Sequence, residues 1–412
     1  MEIMSPAGSY ESLVAAIQAG AGSVYFGVGV LNMRSRAAVN FTLEDLPKVA
    51  AICREHHVNS YLTANTIIYN DELEKMRTLL DTAKTCDVTA IIASDMAVIQ
   101  YARQIGLEVH ISTQCNVTNL EALRYYAQFA DVVVLGRECT LPQIKDICTA
   151  IREQDIRGPK GELVRVEIFV HGALCMAVSG QCYLSLDNYN SPANRGACYQ
   201  PCRRAYTVRD VDQEIELKVE NPYILSPKDL CTIGYLDLIV KTGVSVLKIE
   251  GRGRAPEYVK VVTECYHEAV QAIEEGTYGP EKAEAWTERL RSVYNRDFWG
   301  GYYLGHTAGE WADRYGSQAT HYRQRVGKIT NFFRKLSVAE VTVEEENLNV
   351  GDQILIIGQT TGVYEDTVEE IRVDYQSATT AAKGVVCSIP VKSQVRIGDQ
   401  IYKWAEREYI EL

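Results

Sequence analysis

Apolar residues over the first 275 positions follow two alternating periods. Short β-branched runs read as buried strands, and between them apolar positions recur at helical spacing. The strand runs are Glu2–Met4, Val24–Val28, Asn59–Thr63, Ala90–Ala93, Glu108–Ile111, Val132–Leu135, Val166–Val170 and Val244–Ile249. Helical patterns cover Ser9–Gly20, Leu43–His56, Asp71–Cys86, Met96–Gly106, Asn119–Phe129 and Leu141–Glu153. Gly20 and Gly106 suit the left-handed backbone of a helix end, and Pro142 and Pro256 sit where a helix start needs no N–H. Eight strand–helix units in succession predict an α/β fold, a (β/α)8 TIM-type barrel over residues 1–275. A doubly wound open sheet is the alternative. Either fold places the working residues beyond the strand C-termini.

One unit is anomalous. Residues 171–243, between the seventh and eighth strand runs, exceed any ordinary connection and predict a packed insertion. A helix is expected from Pro256 to about Glu275, followed by a helical or irregular connector over 276–321. From residue 322 to 412 short alternating strands take over. Val350-Gly351-Asp352-Gln353-Ile354 recurs as Ile397-Gly398-Asp399-Gln400-Ile401, a Gly-Asp turn before an apolar strand that predicts a small antiparallel β-barrel.

Composition narrows the class. Of 412 residues 46% are hydrophobic and 23% charged, which excludes disordered and collagen-like chains. No run approaches the roughly 18 apolar residues of a membrane helix. The opening Met1-Glu2-Ile3-Met4-Ser5-Pro6 lacks the features of a signal peptide, so a cytoplasmic protein without membrane attachment is expected. The net charge of −12 disfavours indiscriminate polyanion binding and leaves room for a local basic strip.

Of twelve cysteines, five fall within the insertion: Cys175, Cys182, Cys198, Cys202 and Cys231. Reduced cytosolic thiols do not form structural disulfides. Soft thiolates suit zinc or an iron–sulfur cluster, and four complete either site. The absence of any Cys-x-x-Cys pair weighs against a zinc ribbon. The other seven (Cys53, Cys86, Cys115, Cys139, Cys148, Cys265 and Cys387) read as small buried hydrophobes.

The string from His171 to Tyr206, with Lys248-Ile249-Glu250-Gly251-Arg252 and Met4-Ser5-Pro6-Ala7-Gly8, closely resembles peptidase family U32, the collagenase-like proteins. The resemblance runs over nearly the whole chain, and the terminal barrel resembles the extra domain of the branch involved in tRNA hydroxylation. It implies a 4Fe–4S cluster and oxygen-independent hydroxylation. In that branch tRNA is the partner, wobble 5-hydroxyuridine the product and prephenate a required co-substrate. By motif position it implies Cys175, Cys182, Cys198 and Cys231 as metal ligands, with Cys202 a fifth candidate that could replace Cys198. It leaves room for a protein partner or a homo-oligomer.

Around this group, His171 follows the seventh strand run and could hydrogen-bond cluster sulfur or carry a proton. Glu138 after the sixth run and Glu250 after the eighth are the carboxylates placed to share a catalytic role with it. His110 and Gln114 share one face of the fifth strand run. With Asn116 they would read a base or a small acid. Arg34, Arg36, Arg137 and Arg252 would offer forked donors to carboxylate or phosphate. Arg195 and Arg203, beside Arg204, Arg209, Tyr199 and Tyr206, would pair phosphates and stack splayed bases.

The residues alone leave competing functions open. The resemblance makes an RNA hydroxylase the leading reading and implies hydroxylation of rRNA or a quinone precursor as alternatives. A protease would need a Cys–His pair such as His171 with Cys175, since no zinc-protease helix motif or serine elbow is present. A zinc-stabilised RNA-binding module is the third.

Overall fold

A computed structural model describes residues 1–36, 38–210, 215–217, 221–305 and 309–407. Eight parallel strands close into a ring: β1 (Glu2–Pro6), β2 (Ser23–Gly27), β3 (Asn59–Ala64), β4 (Ala90–Ala93), β5 (Glu108–Ile111), β6 (Val132–Val134), β7 (Arg165–Ala173) and β8 (Val246–Ile249). Each pairs with the next, and β8 pairs with both β7 and β1. That closure excludes the open doubly wound sheet. Between and after the strands run α1 (Tyr10–Gln18), α2 (Leu46–Glu55), α3 (Leu73–Thr85), α4 (Met96–Gln104), α5 (Leu120–Ala127), α6 (Leu141–Glu153), α7 (Leu236–Val240) and α8 (Pro256–Glu274). Side chains of Ser9, Asp95 and Asn119 accept the first free N–H groups of α1, α4 and α5.

Alternation along the strands separates two cores. One face packs against the helices in a continuous layer that includes Ile3, Val24, Leu62, Ile91 and Leu247. The other fills the barrel with Met4, Tyr25, Tyr61, Ala90, Ile92 and Val246. The N-terminal end is plugged by charge. His110 lies fully buried against Tyr61 and bonds Glu108 at 3.1 Å, while Glu108 also pairs with Lys160 and Arg165. His110 therefore belongs to the barrel floor, opposite the end where substrate contact was expected. It alternates onto the right face one pleat too early.

The insertion folds back on the barrel. Its strand Asp229–Cys231 runs antiparallel to the end of β7, pairing Cys231 with His171, and Phe298–Trp299 of the connector extends the same sheet. A short helix, Leu184–Tyr189, and single 3-10 turns make up much of the rest.

Beyond α9 (Pro280–Ser292), the C-terminal part is antiparallel: β9 (His321–Phe333), β10 (Val338–Val343), β11 (Gln353–Gly358), β12 (Gly362–Thr367), β13 (Ile371–Val373), β14 (Gln376–Ala378), β15 (Val386–Pro390) and β16 (Gln400–Glu406). They form one sheet in the order β12-β11-β16-β9-β10-β15-β13-β14 around Val326, Val341, Ile356, Ile371 and Ile401. No pairing joins β12 to β14 among the described residues. The two Gly-Asp repeats adopt the same turn. Gly351 and Gly398 have φ of 92° and 94°, and the following aspartates accept the N–H of Asn349 and Arg396, both at 2.8 Å.

Candidate active site at the barrel mouth

At the C-terminal ends of the strands a cavity is lined by Tyr25, Arg34, Asn65, Ser112, Gln114, Arg137, Phe169, Lys248, Glu250 and Arg252, among others. The Glu250 carboxylate lies at its centre of charge. Arg34 donates to it through Nε at 3.0 Å and Nη2 at 2.9 Å, and the Tyr25 hydroxyl, bonded mainly to the Ile249 carbonyl, stands 3.4 Å away. Burial would raise this carboxyl, but Arg34, Arg137 and Arg252 more than reverse that and hold it at about 2. Arg252 is 4% exposed and donates to Asn32 and Thr63 at 3.0 and 2.7 Å. Burial lowers its guanidinium to about 10, leaving it charged at neutral pH. Below, Lys248 bonds Glu167 at 2.6 Å with both side chains buried.

The mouth thus gathers Arg34, Arg137, Lys248 and Arg252 against two carboxylates, an excess of positive charge in a low-dielectric site. Several polar atoms there have no partner: Arg137 Nε, Arg252 Nε, Gln114 Oε1 and Thr113 Oγ1. Buried donors and acceptors of this kind are costly unless something meets them. An anionic ligand with hydrogen-bonding edges would meet both the charge and the orphan groups.

Other expected site residues lie elsewhere. Glu138 is exposed and outside the cavity. His171 is 1% exposed, boxed by Tyr258, Tyr266 and Phe298, with Nδ1 at 3.4 Å from the Tyr266 hydroxyl. Burial drives its pKa down to about 4, so the ring is neutral and packed in the protein rather than presented to a substrate. Asn116 takes a left-handed backbone and ties Gln114 and Ser179 together through Nδ2, at 3.1 and 3.5 Å. It shapes the mouth without lining it. Arg195 forks onto Glu72, and Arg203 is spent on the carbonyls of Leu174 and Pro227 and the Ser226 hydroxyl. Both are internal ties, not free phosphate donors. Arg36 is exposed.

Over the mouth hangs the cysteine loop. Cys198 lies in the electrostatic field of Cys175, Cys182 and Arg34, and Cys202 in that of Cys175, Cys198 and Cys182. The Gln200 N–H donates to the Cys198 sulfur at 3.3 Å. Cys231 is not in this company. It sits with Tyr266 and the Ile233 N–H, and burial pushes it up to about 11. Cys175, Cys182, Cys198 and Cys202 thus feel one another's charge, while Cys231 lies beside Tyr266. The antiparallel return of Asp229–Cys231 along β7 pairs Cys231 with His171, and the following Thr232 N–H donates to the Tyr266 hydroxyl of α8 at 3.1 Å. Among the described residues no three His, Cys, Asp or Glu side chains are already arranged as a ligand cage. Four thiols share this segment, and one already holds a backbone N–H, the kind of donor that soft metals and clusters take.

Gly196 fixes the loop to the mouth. Its φ is 74°, and a Cβ there would stand 2.1 Å from the Asn32 carbonyl oxygen. Arg36 N–H donates to the Gly196 carbonyl at 3.3 Å, locking the β2 loop to the cysteine loop.

The model of peptidase family U32 matches residues 8–313, a span holding the barrel from β2 onward, the mouth and all five insertion cysteines. The chain belongs to this family. A "Collagenase" of Porphyromonas gingivalis is 55% identical over 407 residues, covering 99% of this chain and 98% of that one. The "tRNA hydroxylation protein P1" of Bacillus subtilis is 30% identical over 383 residues, covering 90% and 86%. The "23S rRNA 5-hydroxycytidine C2501 synthase" of Escherichia coli is 34% identical over 274 residues, 66% of this chain and 40% of that one. This U32 chain is thus similar both to proteins named for proteolysis and to proteins named for RNA hydroxylation.

Sequence reasoning placed Ser112 with Gln114 on the face that points to the mouth, and passed over Tyr25, Asn65 and Lys248 at this U32 mouth. For Asn65 and Lys248 the signal was position, just past the end of β3 and next to the end of β8, where polar residues face the mouth; Tyr25 lies mid-strand in β2 and gave no such signal.

Proposed function

We propose that the chain is an RNA-modifying hydroxylase that forms 5-hydroxyuridine at the wobble position of tRNA. In this reading Cys175, Cys182, Cys198 and Cys202 hold a 4Fe–4S cluster and the cationic mouth takes prephenate. One observation carries it: Arg34 pairs with Glu250 inside the mouth while the neighbouring Arg36 N–H donates to the Gly196 carbonyl, so a cationic cavity and the cysteine loop adjoin. Relatives named for tRNA and rRNA hydroxylation support the RNA substrate.

When bound, the cluster supplies electron-transfer chemistry. The chain's own residues do the rest. Arg137, Lys248 and Arg252 attract and orient a dicarboxylate. Gln114 offers its unpartnered amide oxygen to an extruded base, Asn65 ties Met33 to Ser112 behind it, and Tyr25 and Phe169 supply flat apolar walls. Glu250 stays ionised at neutral pH, so its task is to hold Arg34 in place rather than to exchange protons. A single-stranded wobble base reaches a pocket without the cost of opening a duplex.

The test is anaerobic purification with iron and sulfide assays, joined to nucleoside analysis of tRNA from a deletion strain. A brown protein with bound iron and sulfide, and tRNA lacking 5-hydroxyuridine derivatives, is the expected result. A colourless protein with stoichiometric zinc, or unchanged tRNA, would sink it. Proteolysis is a second reading, favoured by the relative named collagenase. His171 weighs against it, since its ring is enclosed by Tyr258, Tyr266 and Phe298. Digestion of gelatin by the purified protein, abolished by Cys175→Ala, would restore it.

A further inference from the structure

Beside the cysteine loop four side chains stand in one row. The Arg36 guanidinium lies 3.7 Å from the centre of the Tyr199 ring. Tyr199 and Tyr189 meet with centroids 5.1 Å apart. The Arg204 guanidinium lies 5.5 Å from the Tyr189 centroid. Both rings are well exposed, 44% for Tyr199 and 38% for Tyr189. Arg36 and Arg204 are exposed too, and neither side chain donates a hydrogen bond or ion pair among the described residues. This contrasts with Arg195 and Arg203, whose donors are consumed by protein groups.

The row is held rigidly from beneath. The buried Ser185 hydroxyl accepts the Tyr199 N–H at 3.0 Å, and Ser191 donates to the Ala197 carbonyl at 2.6 Å. These bonds stitch the helix Leu184–Tyr189 to the cysteine turn. The row begins at the mouth's lip, since Arg36 is two residues from Arg34 and Tyr199 follows Cys198. Solvent-exposed rings, and cations that stack on them while keeping their N–H groups free of protein acceptors among the described residues, lie along a fixed line beside a cationic cavity and match one kind of partner well. Ring faces accept unstacked bases, and guanidinium groups take the adjoining phosphates and stack in their turn.

We infer that the row Arg36–Tyr199–Tyr189–Arg204 is the platform that receives the unpaired nucleotides flanking the base presented to the mouth. This rests on the RNA reading above and adds where the strand lies. The bases stack on Tyr199 and Tyr189, and their phosphates are met by Arg36 and Arg204. The platform ignores sequence, leaving selection of the base to the mouth.

The test uses anaerobically purified, iron-loaded protein and a labelled RNA hairpin with an unpaired loop, with a blunt RNA duplex as control. Tyr199→Ala and Tyr189→Ala should each weaken hairpin binding about 5- to 150-fold, the range for losing one stacked base. Tyr199→Phe should restore it. The double substitution Arg36→Gln with Arg204→Gln should flatten the slope of log affinity against log salt by about 1.4, for two phosphate contacts on single-stranded RNA. Because Tyr199 adjoins Cys198, the arginine pair provides the measurement least exposed to loss of the loop's structure. Wild-type binding to the hairpin with unchanged affinity and slope in every variant overturns the platform and leaves the RNA reading standing. Failure of the wild type to bind hairpin overturns both.

Discussion

Burial pulls the Glu250 carboxyl up and three guanidinium groups pull it further down, so the folded protein holds it at about 2 against an ordinary value near 4.3. Its folded value is depressed, so the stability it contributes is fully present above about pH 4.3 and is lost as pH falls toward 2. The size is about 3 kcal/mol at neutral pH. Chemical denaturation of wild type and Glu250→Gln between neutral pH and the acid limb should show a gap that closes as the pH drops. A gap independent of pH would mean that the arginines do not hold the carboxylate. Arg34→Met should cost more at neutral pH, about 3–5 kcal/mol, because it leaves a buried charge unpaired. The cysteines give a second prediction at this scale. Cys202→Ala should lose bound iron and visible absorbance, while Cys231→Ala and Cys53→Ala should keep both; the opposite pattern for Cys202 and Cys231 would restore the quartet expected from motif position. Spacing along the chain could separate five insertion cysteines from seven others. It left Cys202 a fifth candidate for four seats, because spacing does not show the antiparallel return that pairs Cys231 with His171.

The barrel elements were legible where one period held for a full element. Ala90–Ala93, Glu108–Ile111 and Leu141–Glu153 form with the bounds their patterns predict. Ser9–Gly20 overruns at both ends, because Ser9 is the cap of α1 and Gly20 lies past its last turn. The insertion was not legible as elements. Its single turns are too short to carry a period, and their geometry depends on bonds to distant loops such as Asn32–Arg36. Gly196 is the position where this dependence can be tested. Gly196→Ala adds a Cβ against the Asn32 carbonyl in a left-handed backbone that costs a non-glycine residue about 1–3 kcal/mol. The cysteine loop should lift from the β2 loop while the barrel persists. Limited trypsin digestion should then cut faster after Arg195 and Arg203, with the α1–α6 part of the barrel left whole. Cleavage at the wild-type rate would mean that the loop is held by other contacts.

For the whole molecule, net charge was a poor guide to the site: a chain of net charge −12 carries its excess cations inside one mouth. The joint between the barrel and the C-terminal sheet was partly written in the sequence. Ile354-Leu355-Ile356-Ile357 is a continuous apolar run, and a strand of that kind has both faces covered. Ile354 and Ile356 face the sheet's own core, whereas Leu355 and Ile357 meet Ala15 of α1 and Val363 of β12. What covers the second face could not be read from the run itself. Gln18 seals the joint, donating to the Thr361 carbonyl at 2.8 Å and accepting the Val363 N–H at 3.3 Å; Lys260 reaches Glu365 at 3.2 Å and Arg323 reaches Glu257 at 3.1 Å. Ala15 is completely buried at this contact, so Ala15→Glu must either strand a charge there, at several kcal/mol, or open the joint. Opening is the cheaper course, because the sheet keeps a separate core around Val326, Val341 and Ile356. Hydrogen exchange should therefore quicken in α1 and over residues 355–363 while amides of β9 and β10 stay protected. Equal loss of protection across both sheet faces would show that the C-terminal sheet depends on the barrel for its fold, and that the two cores unfold together.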